Sequence, residues 1–358
     1  MVAYIEEMAV NKYAWLDNKT FKDGVALCQA IPGATAMQVA AYVGLRTKGV
    51  RGSLSTFVGF GLPAFVLMLL LSVLYARLSG LQQVLSVFAG LEVTVVAIIV
   101  NATISFGKGC LKDYRDVAVA LVTALLFWLG ISPFVVIIGA GLVGIVLFQG
   151  QTFGGNSSET GSLFHVKQAI VLFSILIASF LSLYFLDNRL FGIAALMVKV
   201  DLFAFGGGFA SLPLLLNQVV EVKGWLDNKT FMDGVALGQI TPGPIVITST
   251  FVGYMVYGFP GAIVATLAMF APSLFMLVLT SAFLDPIRKS HVFGKLTRAI
   301  LASFVGLLFY TAIKFGANVP WEIMRVILGL AALVALLRKI DVLYIVVAAS
   351  LVSVVAFR

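Results

Sequence analysis

Runs of about twenty apolar residues succeed one another along nearly the whole chain, with only short polar punctuation between them. In hydrocarbon every backbone N–H and C=O must be paired within the segment, so runs of this kind fold as transmembrane helices. A transmembrane β-barrel would instead show alternating segments of about ten residues. Composition points the same way: of 358 residues, 61% are hydrophobic and 11% charged, and the mean hydropathy is +1.06. A soluble domain carries about 25% charged residues. The formal charge of +8 resides mainly in short loops, where Lys and Arg encode membrane orientation, so it does not mark a nucleic-acid partner. Cys28 and Cys110 offer neither a disulfide framework nor a zinc spacing. The segment 1–18, with Glu6, Glu7 and Asp17, lacks the apolar core of a cleavable leader.

The chain also repeats itself. Residues 15–27, WLDNKTFKDGVAL, return at 225–237 as WLDNKTFMDGVAL. The correspondence continues from Gln29, Pro32 and Gly33 to Gln239, Pro242 and Gly243. After a one-residue slip, Val43, Gly44, Gly49, Gly52 and Pro63 meet Val252, Gly253, Gly258, Gly261 and Pro272. The chain reads as a fused duplication. Residues 1–149 form an N-terminal repeat, 150–187 a linker plus a connecting transmembrane helix, and 188–358 a C-terminal repeat. The linker QTFGGNSSETGSL (151–163) is polar and short, a tether rather than a domain. Spans are expected over 20–45, 52–76, 81–106, 114–130, 132–149, 164–186, 190–222, 229–257, 259–284, 291–316, 322–337 and 341–357. The short pairs 114–149 and 322–357 read either as full crossings or as re-entrant hairpins. Met1 aligns with Ser211, so the first repeat has no counterpart of Phe205–Ala210. Either its first helix is truncated by an internal start or that half is shorter.

If every segment crosses once, the Lys/Arg-rich side receives the loops with Arg46, Lys48 and Arg51, with Lys108, Lys112 and Arg115, with Lys223 and Lys229, with Arg288, Lys289, Lys295 and Arg298, and with Arg338 and Lys339. That side is expected to be cytoplasmic. The unpaired helix 164–186 then flips the second half, giving an all-α polytopic protein of two homologous halves in an inverted repeat with Pro/Gly-broken helices.

Chemistry concentrates at those breaks. In GQITPGPIVITSTFVG the prolines Pro242 and Pro244 flank Gly243, a sequence that interrupts a helix. Pro244 suits the first position of the resumed helix, which would bare the amides of Ile245, Val246 and Ile247 toward an anion. Gln239, Thr241 and Thr248 add neutral donors. The first repeat has AIPGATAMQ, keeping Pro32 and Gly33 but placing Ala34 at the second proline, with Gln29, Thr35 and Gln38 nearby. The run Gly206, Gly207 and Gly208 permits either an unwound, anion-cradling backbone or close helix packing. Lys199 is the candidate fixed cation, with snorkelling or a structural pair with Asp201 as the plain alternative. Asp201 and Glu92 are candidate carriers of a coupling proton, Glu92 equally readable as polar glue between helices. A bare kink is the plain reading of each Pro/Gly break, but corresponding breaks in two halves point to a transporter site. Asp113 and Asp116, interleaved with Lys112 and Arg115, read as a solvated charge pair rather than a metal site.

At these residues the sequence resembles the chromate ion transporter family. The resemblance rests on FGGGFASLPLL (205–215), GWLDNKTF (224–231) and GQITPGPIVITSTFVGY (238–254), and in the first half on CQAIPGATAMQVAAYVG (28–44) and GFGLPAFVLMLL (59–70). Ala34 and the missing first-half glycine run depart from the family pattern. The resemblance implies a secondary active transporter, not an enzyme, that exports chromate across the cytoplasmic (inner) membrane without cofactor or metal, conferring metal resistance. It implies use of the membrane potential or proton gradient, and no Walker-type nucleotide loop occurs. The expected partners are chromate or sulfate and membrane lipid, with a coupling proton and a second copy of the chain left open. A sulfate or other oxyanion carrier and a passive anion channel are the alternatives, and an intramembrane enzyme would need clustered carboxylates or a reachable nucleophile.

Overall fold

A computed structural model describes residues 1–78, 80–148, 164–281 and 290–357. The linker 151–163, Arg288 and Lys289 lie outside the described residues. The described elements are all helical. In the first half they are α1 (Val2–Glu6, running into a π-helical turn, Glu7–Lys12), α2 (Asn18–Ala30), α3 (Thr35–Leu78), α4 (Gln82–Cys110), α5 (Tyr114–Trp128) and α6 (Pro133–Leu147). The connecting helix α7 (Phe164–Leu186) leads to α8 (Asn188–Phe203), α9 (Gly208–Leu215, with a π-helical turn Leu216–Val222) and α10 (Asn228–Ile240). Then come α11 (Thr248–Ser281), α12 (His291–Asn318), α13 (Ile323–Leu337) and α14 (Val342–Ala356). Among the described residues, five helical stretches are long and apolar enough to cross a membrane: Thr35–Leu78, Val84–Cys110, Ala169–Leu186, Ile245–Ser281 and His291–Asn318. The protein is a polytopic membrane protein.

The near-identical LDNKTF segments have a local explanation. Asp17 caps α2 by accepting the Thr20 amide at 2.8 Å, and Asp227 caps α10 by accepting the Thr230 amide at 2.7 Å. A side-chain cap of this kind satisfies an otherwise orphaned first-turn donor, stabilising a helix start by about 1 kcal/mol. The stretches beyond them correspond too. α3 bends sharply at Lys48–Gly49 and α11 at Tyr257–Gly258, with Gly49 at φ +63° and Gly258 at φ +60°. Across each bend two glycines let the arms touch: a side chain on Gly44 or Gly253 would overlap the carbonyl of Gly52 or Gly261. Asp187 caps α8 and accepts the Tyr257 hydroxyl at 2.7 Å, which ties the second bend to the start of α8 and holds the Asp187 carboxyl below the ordinary carboxylate range.

The two halves exchange their short hairpins. α5 and α6 pack against α12 of the second half, and α13 and α14 pack against α4 of the first. The bent helices α3 and α11 pack on each other, α8 covers α11, and α7 lies beside α8 and α11. Each hairpin brings a charge to the other half. Asp116, at the start of α5, is wholly buried and receives Arg298 of α12 through Nε at 2.8 Å and Nη2 at 2.6 Å. It also accepts the amides of Lys112 and Asp113 at 2.8 and 2.9 Å. The solvated pair expected of Asp113 and Asp116 is therefore corrected: Asp113 caps α5, while Asp116 is a buried ion-pair partner across the halves. On the other hairpin Arg325 of α13 lies 4.0 Å from Glu92 of α4, with the polarity reversed.

Removing one member of a buried pair strands the other's charge, at about 3–5 kcal/mol. Arg298→Ala is expected to lower the thermal unfolding midpoint of the detergent-solubilised protein, and adding Asp116→Asn to recover much of the loss. Equal midpoints for wild type and Arg298→Ala would show that the pair holds nothing together.

Candidate functional site

Three interruptions of the helical backbone converge in the interior. The first, Ile31–Ala34, separates α2 from α3; the second, Ala204–Gly207, separates α8 from α9; the third, Thr241–Pro244, ends α10. A break frees amides and carbonyls that must find partners. Here they find one another: the Gly33 amide donates to the Ala204 carbonyl at 2.9 Å. The Ala34 amide lies 3.3 Å from Ser273 Oγ of α11, and that hydroxyl donates to Asp201, both of whose carboxylate oxygens are 2.8 Å away. Gln38 Nε2 donates to the Pro32 carbonyl at 2.7 Å. Gly33 sits at φ +118° with Ser273 Oγ where a Cβ would be, so both the conformation and the contact require glycine.

The glycine run is unwound, with Gly206 at φ +88° and Gly207 at φ +102°. Gly207 faces the Thr35 side chain and Gly208 faces Ile245, which places the second interruption between the other two. Beside them lies a cavity of about 710 Å³ lined by Ala34, Thr35, Ala36, Gly208, Gln239 and Thr241–Ile245, with Asp341 from the α13–α14 turn at its edge; Gly206 and Gly207 do not line it. The starts of α3 and of the helical turn preceding α11 therefore open on one space. A first turn presents amides without intrahelical partners and the positive end of the helix dipole, which together favour an anion. Gln239 Nε2 is buried there without a hydrogen-bond partner.

Several expected members stand elsewhere or are otherwise engaged. Pro244 is not the first helical residue but the residue before a 3₁₀ turn, Ile245–Ile247, and its carbonyl accepts the Ile247 amide at 3.0 Å. The bared amides are thus those of Ile245 and Val246, not of Ile247. Thr241 donates to the Gly238 carbonyl at 2.8 Å and Thr248 to the Ile245 carbonyl at 2.9 Å, so both hydroxyl protons serve the backbone. Gln38 is fully buried with its amide given to Pro32, and Pro32 and Gly33 lie behind the cavity wall rather than in it. Gln29 is exposed on α2 and does not line the cavity. Lys199 is not at the breaks. It borders a separate cavity of about 730 Å³ with Arg189, Lys223, Gln218 and Tyr257, and its ammonium lies 3.9 Å from the Phe134 ring centroid. Nor does it pair with Asp201, whose carboxylate turns to Ser273. Glu92 lies near Lys229 and Arg325, at 3.9 and 4.0 Å.

Comparison with known proteins decides the family. The sequence profile of the chromate transporter family matches residues 1–145 and 191–354. The chain belongs to the chromate transporter family. It is 41% identical over 349 residues to an uncharacterized transporter of Methanocaldococcus jannaschii, covering 96% of this chain and 87% of that protein. A chromate transport protein of Cupriavidus metallidurans is 29% identical over 363 residues, covering 100% of this chain and 88% of that one. An uncharacterized transporter of Bacillus subtilis is 30% identical over 156 residues, which is 42% of this chain but 88% of that protein, a half-length relative. No solved structure matches.

Sequence reasoning on this transporter missed Ser273, which follows the repeated Pro272, and Asp233, the acidic residue inside the repeated KTFxDG segment. The repeat marked Asp233 but not Ser273, whose counterpart is Ala64, and the burial of neither could be read from it. Ser273→Ala would leave the buried Asp201 carboxylate without its donor, a loss of about 1–3 kcal/mol or more for a charged group. The expected result is a lower thermal unfolding midpoint in detergent, with Asp201→Asn in the same chain restoring part of it. A midpoint unmoved by Ser273→Ala would mean that Asp201 is satisfied by another group.

Proposed function

We propose that this transporter is a secondary active exporter of chromate across the cytoplasmic membrane, and that the anion rests in the cavity onto which the first and third interruptions open. The observation carrying this reading is the single space onto which two helix starts, from corresponding places in the two halves, both open. Chromate is a tetrahedral dianion. Bare amides at Thr35, Ala36, Ile245 and Val246, together with Gln239 Nε2, suit its oxygens, and the helix dipoles supply positive potential without a fixed cation. Relatives described as chromate transport proteins support chromate as the cargo. Sulfate has the same charge and shape, and competes for the same donors. The two halves are read as an inverted repeat, supported by the matching bends and by the exchange of hairpins. A buried carboxylate carries the coupling proton, and Asp201 and Glu92 were the sequence's candidates.

The test is uptake of labelled chromate into inverted membrane vesicles, with and without an imposed proton gradient and with sulfate as competitor. Uptake should saturate with chromate, accelerate with the gradient and fall when sulfate is added. Pro244→Ala combined with Thr241→Ala is expected to abolish uptake while the protein still reaches the membrane, since it reshapes the interruption whose residues line the cavity. Full uptake by that variant would exclude the site, and flux that rises without saturation would replace the carrier by a channel.

A further inference from the structure

A second polar cluster lies away from the anion cavity, where α3, α4, α10 and α13 meet. Asp233 of α10 is 2% exposed. Its Oδ2 accepts the Tyr75 hydroxyl of α3 at 2.8 Å, while its Oδ1 is buried without any partner. Glu92 of α4, 6% exposed, also holds a buried oxygen, Oε1, that receives no hydrogen bond. The cations are held at arm's length: Lys229 Nζ is 3.9 Å and Arg325 Nη1 4.0 Å from Glu92. The charged groups acting on Asp233 are Glu92 and, one turn earlier on its own helix, Lys229, with Asp227 at the helix start. Tyr75 is fixed by edge contacts to Phe88 of α4 and Phe251 of α11, at 5.1 and 5.2 Å between ring centroids. In the first repeat the corresponding Asp23 is only partly buried, so the constellation belongs to one half.

Two buried carboxylates that act on one another, each with an oxygen lacking a donor, are costly if both are ionised. One bound proton removes one charge and supplies the missing donor. A metal cation fits less well, because lysine and arginine already occupy the positive places and, among the described residues, no three acidic, His or Cys side chains group as ligands. Lys229, beside Glu92, has a side chain that is 57% exposed. We propose that Asp233, with Tyr75 and Glu92, is a proton-binding site that loads and unloads during transport. This rests on the secondary-transport reading above. On loading, a proton adds to Asp233 Oδ1, one O–H bond forms, and the site loses one negative charge; Tyr75 keeps its bond to Oδ2. In the unloaded state Asp233 is drawn to Lys229 and repelled by Glu92. That alters how α10 sits against α4, and α10 ends at the Thr241–Pro244 interruption.

Two measurements on the full chain test this. In the infrared difference spectrum between acid and neutral pH, the wild-type protein should show the carbonyl band of a protonated carboxyl. Asp233→Asn should lack it, and Tyr75→Phe should shift its frequency because the carboxyl loses a hydrogen bond. A band unaltered in both variants overturns the site, and needs no transport to be seen. In proteoliposomes the ratio of chromate flux with and without a pH gradient should fall to one in Asp233→Asn, while Asp233→Glu retains a response. An undiminished response in Asp233→Asn, or a response to a sodium rather than a pH gradient in wild type, overturns the coupling role. Absence of chromate and sulfate flux in the wild type would sink the transport reading instead, leaving the infrared result to judge the proton site.

Discussion

A helix interrupted inside a membrane must find partners for every backbone group that the interruption frees, because no water stands by to take them. In this protein the first and second interruptions answer that demand jointly. The Gly33 amide closes on the Ala204 carbonyl, Gln38 closes on Pro32, and Ser273 links Ala34 to the buried Asp201. These bonds fix where α3 starts and hold the glycine run against it. On the cavity side the first-turn amides of Thr35, Ala36, Ile245 and Val246 and Gln239 Nε2 remain unspent. Asp201 serves this architecture by anchoring a hydroxyl beneath the break, a positioning task that suits its complete burial.

The same frame depends on the halves being interleaved. Each short hairpin packs on the long helix of the other half, and each brings a charge to meet one there: Asp116 to Arg298, and Arg325 to Glu92. The first is a forked, hydrogen-bonded pair; the second is a loose contact in which Arg325 Nε and Nη1 remain unpartnered. A tight pair on one side and a loose one on the other means that the halves are alike in backbone and unlike in charge. The loose side is the one that contains Asp233 and Tyr75.

Much of this was legible in the sequence because it is local. Apolar run length gave the helices, and Pro, Gly and the glycine run gave the interruptions, whereas LDNKT was legible only as a repeat and its two Asp caps are seen in the structure. What joins those interruptions is not local: Ser273 stands 239 residues from the Ala34 amide it receives. Adjacency in sequence also misled. Lys199 and Asp201 are two positions apart on one helix and therefore point to different sides, one to a basic cavity and the other to Ser273. Gln38, Thr241 and Thr248 have the donors expected of an anion site, but donors close to a break are the cheapest partners for the carbonyls that the break exposes, and that is where they go.

The displacement of Lys199 has a consequence for how an anion would be handled. A buried dianion held against a fixed ammonium in low dielectric gains so much Coulomb energy that release becomes the difficult step. Amides at helix ends give a shallower well, since each carries only a partial charge. The basic cavity formed by Arg189, Lys199 and Lys223 is better placed to raise the local anion concentration than to hold the cargo, because exposed charges steer at long range and are screened by salt. On the proposed reading, attraction and residence are thus divided between two places: a basic cavity whose field ionic strength weakens, and a site of helix-end dipoles, with Asp341 at its edge, that it weakens less.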